Sequence, residues 1–372
     1  MKHQITLIGG QILPVFIGIT EKKPDIVHVF YSKESKDQFS LLKNILSVTK
    51  IYSYQVDPFN YEEIKAKAEE IILANTSDKF ELNITGGTKI MAIACQQVFN
   101  DLNLPIFYID QKHVLFDITE KKSNTVKTKI KIDTFLKISG HTKYQIGSLS
   151  DFTSDEIKLS EFILAETNSG WYWEVYSKLY KANQFLNPKN FNHKHKETDI
   201  KWDGNRLTVT RASENNTFIS KKGLLIAFSG LWWEIIVGKA VSKWIHAYEF
   251  KMNLRIKSKV QDQKDKNEID IVLNTGKNLI FIECKTGEVN QNDINKIKTV
   301  SELYGGISSR SILVSRKKPS ATIIEKCHEL GIDIFSQVSS EKALNSNKQF
   351  FKFTKLSELP KRLDLLINKM NL

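Results

Sequence analysis

Four short runs rich in β-branched and aromatic residues, QITLIG (4–9), DIVHVFYS (25–32), KIYSYQVD (50–57) and FELNIT (80–85), alternate with helical patterns at 11–20, 36–48, 60–75 and 87–101. Parallel strands need long crossover connections, which helices of this length supply. The alternation therefore predicts an α/β fold with an N-terminal, Rossmann-like, doubly wound sheet. PIFYID (105–110) and HVLFDI (113–118), separated only by Gln111 and Lys112, read as a hairpin continuing it, and the Lys-rich 121–133 as an edge strand or connector.

Beyond this unit the pattern loosens and then sharpens again. Residues 152–186 read as helical, 187–205 as polar, with DGN a turn into the strand RLTVTR (206–211). From Gly223 a second α/β unit begins: an amphipathic helix at 231–248, strands at 253–260, 268–274 and 278–285, a helix at 290–305, a strand at 311–315, a helix at 320–330 and a strand at 331–335. The division is 1–138, 139–222 and 223–372, the middle part being either a small α+β connector or a decoration of the last domain.

Composition removes several classes. With 7 Pro and 17 Gly in 372 residues the chain is not of low complexity. Cys95, Cys284 and Cys327 lie too far apart in sequence for a disulfide framework or a CxxC zinc pattern. No apolar run approaches the ~18–20 residues that span a bilayer, and MKHQITLIGGQILPV lacks the marks of a signal peptide. The expectation is a cytoplasmic protein without a membrane partner. Residues 1–140 carry 18 Lys and no Arg against 16 acids, whereas the remainder carries 36 basic residues against 26 acids and all six Trp. A polyanion would be handled mainly downstream.

In NITGGTKIMAIA (83–94) a strand runs into Thr85-Gly86-Gly87-Thr88-Lys89 and then a helix. Glycines let backbone approach a ligand closely, and a helix start offers N–H groups and a positive dipole end to an anion. It is not a Walker A loop. The first strand ends in Gly9-Gly10-Gln11, placing a second glycine loop at the carboxyl edge of the same sheet. The segment resembles the CRISPR-associated Rossmann-fold (CARF) sensor domains over about residues 1–135. The resemblance implies a cyclic oligoadenylate bound by Gly9, Gly10, Gln11, Thr85, Gly86, Gly87, Thr88 and Lys89 across the twofold axis of a homodimer.

EIDIVLNTGKNLIFIECKTG (268–287) carries the clearest chemistry. Asp270 opens one apolar strand, NTGKN (274–278) makes the turn, and the second strand ends in Glu283-Cys284-Lys285. Alternation puts Glu283 and Lys285 on one face, and a hairpin of this length returns them to Asp270. Two carboxylates and an ammonium suit a hard divalent cation, with the Cys284 carbonyl as a further oxygen. Such a cation, Mg²⁺ or Mn²⁺, would generate hydroxide and offset charge in phosphodiester hydrolysis. The D-x12-ExK pattern resembles the PD-(D/E)xK nucleases, with Ile269 where Pro is common. Members place another acid on the preceding helix, and Glu234 in LWWEIIV is suitably placed. Glu268 is a weaker further acid, and Gln291 and Lys298 are expected to be ordinary surface residues unless they touch phosphate.

Other signals are set aside. His193 and His195 lack a third ligand at a recognisable spacing and read as a solvated loop. Trp171/Trp173 and Trp232/Trp233 read as core rather than as stacking platforms, and the Cys284 thiol should face the core. Sensor followed by effector resembles the CARF plus PD-(D/E)xK ancillary nucleases of type III CRISPR systems. This implies a metal-dependent homodimeric endonuclease activated by a cyclic oligoadenylate, with cyclic tetra-adenylate expected, that cuts single-stranded DNA or RNA and in some relatives nicks duplex DNA. Two other readings stand beside it: a non-enzymatic nucleotide-sensing DNA-binding regulator, and a ligand-independent restriction-type endonuclease.

Overall fold

In the computed structural model, residues 1–46, 50–181, 190–212, 214–257, 265–306, 309–337 and 350–370 are described. The first unit runs β1 (Lys2–Leu7), α1 (Leu13–Lys22), β2 (Ile26–Tyr31), α2 (Lys36–Ile45), β3 (Lys50–Gln55), α3 (Tyr61–Leu73), β4 (Lys79–Asn83), α4 (Lys89–Asp101), β5 (Ile106–Ile109), β6 (Val114–Asp117), β7 (Lys122–Thr125) and α5 (Ile132–Ile138). Its sheet has the order β3-β2-β1-β4-β5-β6-β7, with β1 to β5 parallel. β1, β2 and β4 are buried almost throughout, as strands covered by helices on both faces must be. The chain winds outward in both directions from β1 and β4, so the point where strand order reverses lies between them. The doubly wound sheet expected from the strand–helix alternation is present. The helix read at 36–48 ends at Ile45, and 47–48 lie outside the described residues.

The second unit continues as β8 (Tyr144–Gly147), α6 (Ser154–Glu166), α7 (Gly170–Lys181), β9 (Phe191–His195), β10 (Thr198–Trp202), β11 (Arg206–Arg211), β12 (Glu214–Ile219), α8 (Gly223–Ser229), α9 (Leu231–Val241), β13 (Glu249–Lys257), β14 (Asp265–Asn274), β15 (Leu279–Lys285), α10 (Gln291–Gly305), β16 (Arg310–Ser315), α11 (Ala321–Glu329), β17 (Ile332–Gln337), β18 (Phe350–Phe353) and α12 (Leu359–Met370). A mixed sheet, β18-β17-β16-β15-β14-β13-β8, is antiparallel from β8 to β15 and parallel from β15 to β18. The strand read at 253–260 ends at Lys257, with 258–260 outside the described residues.

The helix read at 152–186 is two helices. Thr167 and Ser169 turn their hydroxyls onto the carbonyls of Leu164 and Glu166, competing with helix continuation, and α7 restarts at Gly170. Residues 182–186 lie outside the described residues. The polar 187–205 holds β9 and β10, which pair with β11 and β12 in a four-stranded antiparallel sheet. Its inward residues Ile200, Trp202, Leu207 and Val209 share a core with α6 to α9 and with Ile271 and Ile280 of the large sheet. The helix read at 231–248 stops at Val241. α8 and α9 are apolar but bent by 85° at Gly230, whose φ of 98° only glycine adopts readily. Among the described residues no single helix is long and apolar enough to cross a membrane.

The two units are joined by a continuous apolar core. Ile17, Phe107, Leu115 and Phe135 of the first pack with Leu254, Val272, Phe281 and Tyr304 of the second. Backbone bonds add to it: Ile130 N–H donates to the Gly276 carbonyl (2.8 Å), and Ile132 N–H to Glu249 Oε2 (2.7 Å). A movement of one unit is therefore felt by the other.

Candidate active site and sensor crevice

The β14–β15 ladder ends at the pair Ile271–Ile282. One residue beyond, the Asp270 carboxylate replaces a backbone acceptor: Oδ2 takes the Cys284 N–H at 2.7 Å. Glu283 leaves the same end of β15 and is 6% exposed. Lys285 Nζ lies 3.1 Å from Glu283 Oε1, as strand alternation requires. Asp270, Glu283 and Lys285 are thus brought to one hairpin end. The Cys284 side chain belongs to the apolar core with Trp232 and Val314, and burial, then the Asp270 charge, raises its thiol pKa.

α10 completes the arrangement with two residues that the motif did not indicate. Asp293 Oδ1 lies 3.0 Å from Lys285 Nζ, while its Oδ2 accepts the Asn290 N–H in a capping box. Lys296, one turn on, reaches both Glu283 oxygens at 3.2 and 3.4 Å. The legible signal was the N-x-x-D helix start followed by Lys at i+3 on one face. Gln291 lies on the exposed side of that helix start. Lys298 pairs with Glu302 at 3.3 Å and lines a different cavity, away from Glu283.

Glu234 stands in the first turn of α9 beside a cavity of about 570 Å³ that it shares with Glu268, Asn253 and Arg255. Burial, and then the charges of Glu268 and Glu283, push its carboxyl up to about 7. Asp270 is raised well above the ordinary carboxylate range by burial, then by Glu234 and Glu283. Lys285 goes the other way. Burial opposes its charge, but Glu283 and Asp293 outweigh that and hold it protonated. Glu268 is tied to the Arg255 guanidinium at 2.8 and 2.9 Å.

These residues fit a hard divalent cation in part. Raised acids with too little positive charge are the surroundings such an ion stabilises, and Asp270 keeps one oxygen beyond its amide bond. Among the described residues no three His, Cys, Asp or Glu side chains are grouped to hold an ion alone. Two carboxylates supply part of a shell that carbonyl, water or substrate oxygens would complete. His193 and His195 are not a solvated loop: they lie on β9 and bond to Glu174 at 3.1 and 2.8 Å.

In the first unit, the β1–α1 and β4–α4 loops touch at the point where strand order reverses. A Cβ on Gly9 would stand 3.0 Å from Gly87 N, and one on Gly86 2.1 Å from the Leu7 carbonyl oxygen. Gly87 has φ +77°. Both threonine hydroxyls are already engaged. Thr85 Oγ1 donates to Asn83 and accepts the Ile109 N–H, and Thr88 caps α4 while donating to the Pro58 carbonyl at 2.7 Å. Gly10, Gln11 and Lys89 remain exposed. From Gly10 and Gln11 a cavity of about 700 Å³ extends between the units to Lys298, Ser301 and Tyr304 on α10.

Residues 4–135 match the family description of the Card1 CARF domain, and residues 225–346 that of the Card1-like endonuclease domain. No curated protein matches the chain. Among solved structures, Can2 from Sulfobacillus thermosulfidooxidans in complex with cyclic tetra-adenylate is 19% identical, with a TM-score of 0.71 over 100% of both chains. Protein VC1899 from Vibrio cholerae is 15% identical, with a TM-score of 0.72 over 99% of this chain and 98% of that one. A type III CRISPR defence DNA nuclease activated by cyclic oligoadenylate is 14% identical, with a TM-score of 0.59 over 97% of this chain and 51% of that one. At these identities the likeness is one of fold.

Proposed function

Because the chain joins a Card1 CARF domain to a Card1-like endonuclease domain, we propose that it is a metal-dependent endonuclease of type III CRISPR defence, switched on by a cyclic oligoadenylate. One observation carries this reading. α10 holds Lys285 and Glu283 at its N-terminal end, and its C-terminal half lines the cavity that opens at Gly10 and Gln11. A rigid helix thus runs from the cavity beside Gly10 and Gln11 to the carboxylate–lysine centre; the Thr85–Lys89 loop meets Gly9 but does not line that cavity.

Glycine backbone at Gly10, Gly86 and Gly87, with the N-terminus of α4 and Lys89, would receive a cyclic phosphodiester, cyclic tetra-adenylate being the expected ring. A second copy covering the crevice is supported by Phe59, 74% exposed and next to the Pro58 carbonyl that Thr88 engages. Binding there biases the position of α10 and so the grip of Lys296 and Asp293 on the catalytic pair. Asp270, Glu283 and the Cys284 carbonyl would hold Mg²⁺ or Mn²⁺, which when bound supplies Lewis acidity and a nucleophilic water. Lys285, held protonated, cannot serve as the base; it stabilises charge on the phosphate or orients water. Glu234, near 7, can take up a proton.

The test is cleavage of labelled single-stranded DNA and RNA with cyclic tri-, tetra- or hexa-adenylate and either metal. Products are expected only when ring and metal are both present. Strands that are retarded but never cut would support a DNA-binding regulator instead.

The acid cluster also sets a pH dependence. Carboxyls raised in the fold keep protons that the unfolded chain has released, so stability falls as pH rises from the ordinary carboxylate range towards about 7. Between about pH 5 and about pH 8 metal-free parent is expected to lose melting temperature relative to Glu234→Gln, a comparison in which His28 and His113, buried with lowered pKa and acting in the opposite direction, cancel; Mn²⁺ is expected to restore part of the loss at the higher pH. Calorimetry with and without metal checks both.

A further inference from the structure

α7 is apolar on its inner face, where Trp171, Tyr172, Val175 and Leu179 are buried. Its outer face is aromatic as well. Trp173 is 45% and Tyr180 67% exposed, with Tyr176 between them. Trp173 meets the Tyr176 ring at 5.7 Å, and Tyr176 stacks on Tyr180 at 6.0 Å and 14°. Lys317 Nζ sits 5.7 Å from the Trp173 ring centre, whereas Lys178 of the same helix is turned to His193 Nδ1 at 2.8 Å. Glu174, the single acid of α7, is turned to His193 and His195. An aromatic row with a lysine over its first ring is unusual on a solvent face and marks an interaction surface.

Arg316 ties this row to the reaction centre. Its N–H donates to the Lys285 carbonyl at 2.8 Å, while its guanidinium bonds Thr167 and Asn168 just ahead of α7. The next residue, Lys317, reaches Trp173. The row therefore begins beside the end of β15 that carries Glu283 and Lys285.

We propose that the outer face of α7 at Trp173 is a base-stacking platform for the single-stranded nucleic acid to be cut, with Trp173 taking a base and Lys317 meeting the backbone. Stacking of this kind tolerates any sequence, because every base has a π-face, and it excludes bases that are already paired. The inference rests on the nuclease reading and adds where the strand lies. The net positive charge of the chain after residue 140, 36 basic against 26 acidic residues, with Lys317 at Trp173, suits that occupant better than an apolar protein face.

The experiment uses the full chain with cyclic tetra-adenylate and EDTA, reading anisotropy of labelled oligo-dT, oligo-U and a short duplex. Trp173→Ala is expected to weaken single-strand binding between about 5- and 150-fold, Trp173→Phe to recover most of it, and the duplex to be unaffected. Lys317→Glu, on an exposed position, is expected to weaken binding and flatten its salt dependence. The dT and U arms separate DNA from RNA. If both variants bind single strands like the parent while the parent still cuts them with metal, the platform is wrong and the nuclease reading stands. If Trp173→Ala changes only the oligomeric state, the face belongs to a second copy and the proposal fails. If the parent neither binds nor cuts any strand, both readings fall.

Discussion

Asp270→Asn is expected to abolish cleavage and, in metal-free protein at about pH 8, to raise the melting temperature. The two effects share one cause. Asp270 is 9% exposed, and burial with the nearby Glu234 and Glu283 makes its charge costly in the fold. An amide oxygen can still accept the Cys284 N–H that Oδ2 takes now, so the hairpin end keeps its bond. What is lost is the negative charge that the proposed cation would need. Loss of a single electrostatic contributor of about 4 kcal/mol lowers the rate roughly a thousand-fold.

Glu283→Gln should be as inactive but not as stable. Glu283 is the shared partner of Lys285 and Lys296; its neutralisation leaves Lys285 paired with Asp293 and takes from Lys296 the ion pair it makes at 3.2 Å. In both variants cyclic oligoadenylate binding should survive. Gel-based cleavage, calorimetry and ligand titration on the three proteins check the set. Unchanged cleavage by either variant would remove these carboxylates from the mechanism.

Gly86→Ala is expected to uncouple the sensor and to lower stability by about 1–3 kcal/mol, a few degrees in melting temperature. Its Cβ would fall 2.1 Å from the Leu7 carbonyl oxygen and 2.9 Å from Val15 Cγ2. Leu7 ends β1 and pairs with Phe30 of β2, and the residue before it is paired on both sides, so its backbone cannot yield cheaply. The loop must move instead, and with it the start of α4. Gly10→Ala is the informative contrast: a Cβ there meets nothing within 4 Å. Stability should be unchanged, and any loss of response to the ring then reports a ligand pressed against that backbone. Melting curves and activator titrations separate the two cases.

Much of this was legible in the residues, and the omissions follow a pattern. Asp270, Glu283 and Lys285 could be brought together from spacing alone because a hairpin is local and strand alternation is strict. The glycine loops could be placed at one sheet edge because parallel strands share a carboxyl end. Asp293 and Lys296 were missed because they enter from the crossover helix, and helical periodicity gives a face without saying what it covers. The same ambiguity hid Trp173. Its neighbour Trp171 is 1% exposed while Trp173 points outward, and that phase is decided by where α8 and β10 lie.

By itself, then, the sequence determined the two α/β units, the order of their strands along the chain, the glycine-lined crevice and the hairpin that gathers the carboxylates and the lysine. Those depend on contacts between near neighbours in the chain. Only the tertiary structure decided that the middle segment shares its core with the second unit, that α10 spans from the cavity beside Gly10 and Gln11 to Glu283, and that Glu234 and Asp270 hold their protons more tightly than ordinary acids. Those depend on which surfaces remain when distant elements pack and exclude water, and local patterning does not contain that information.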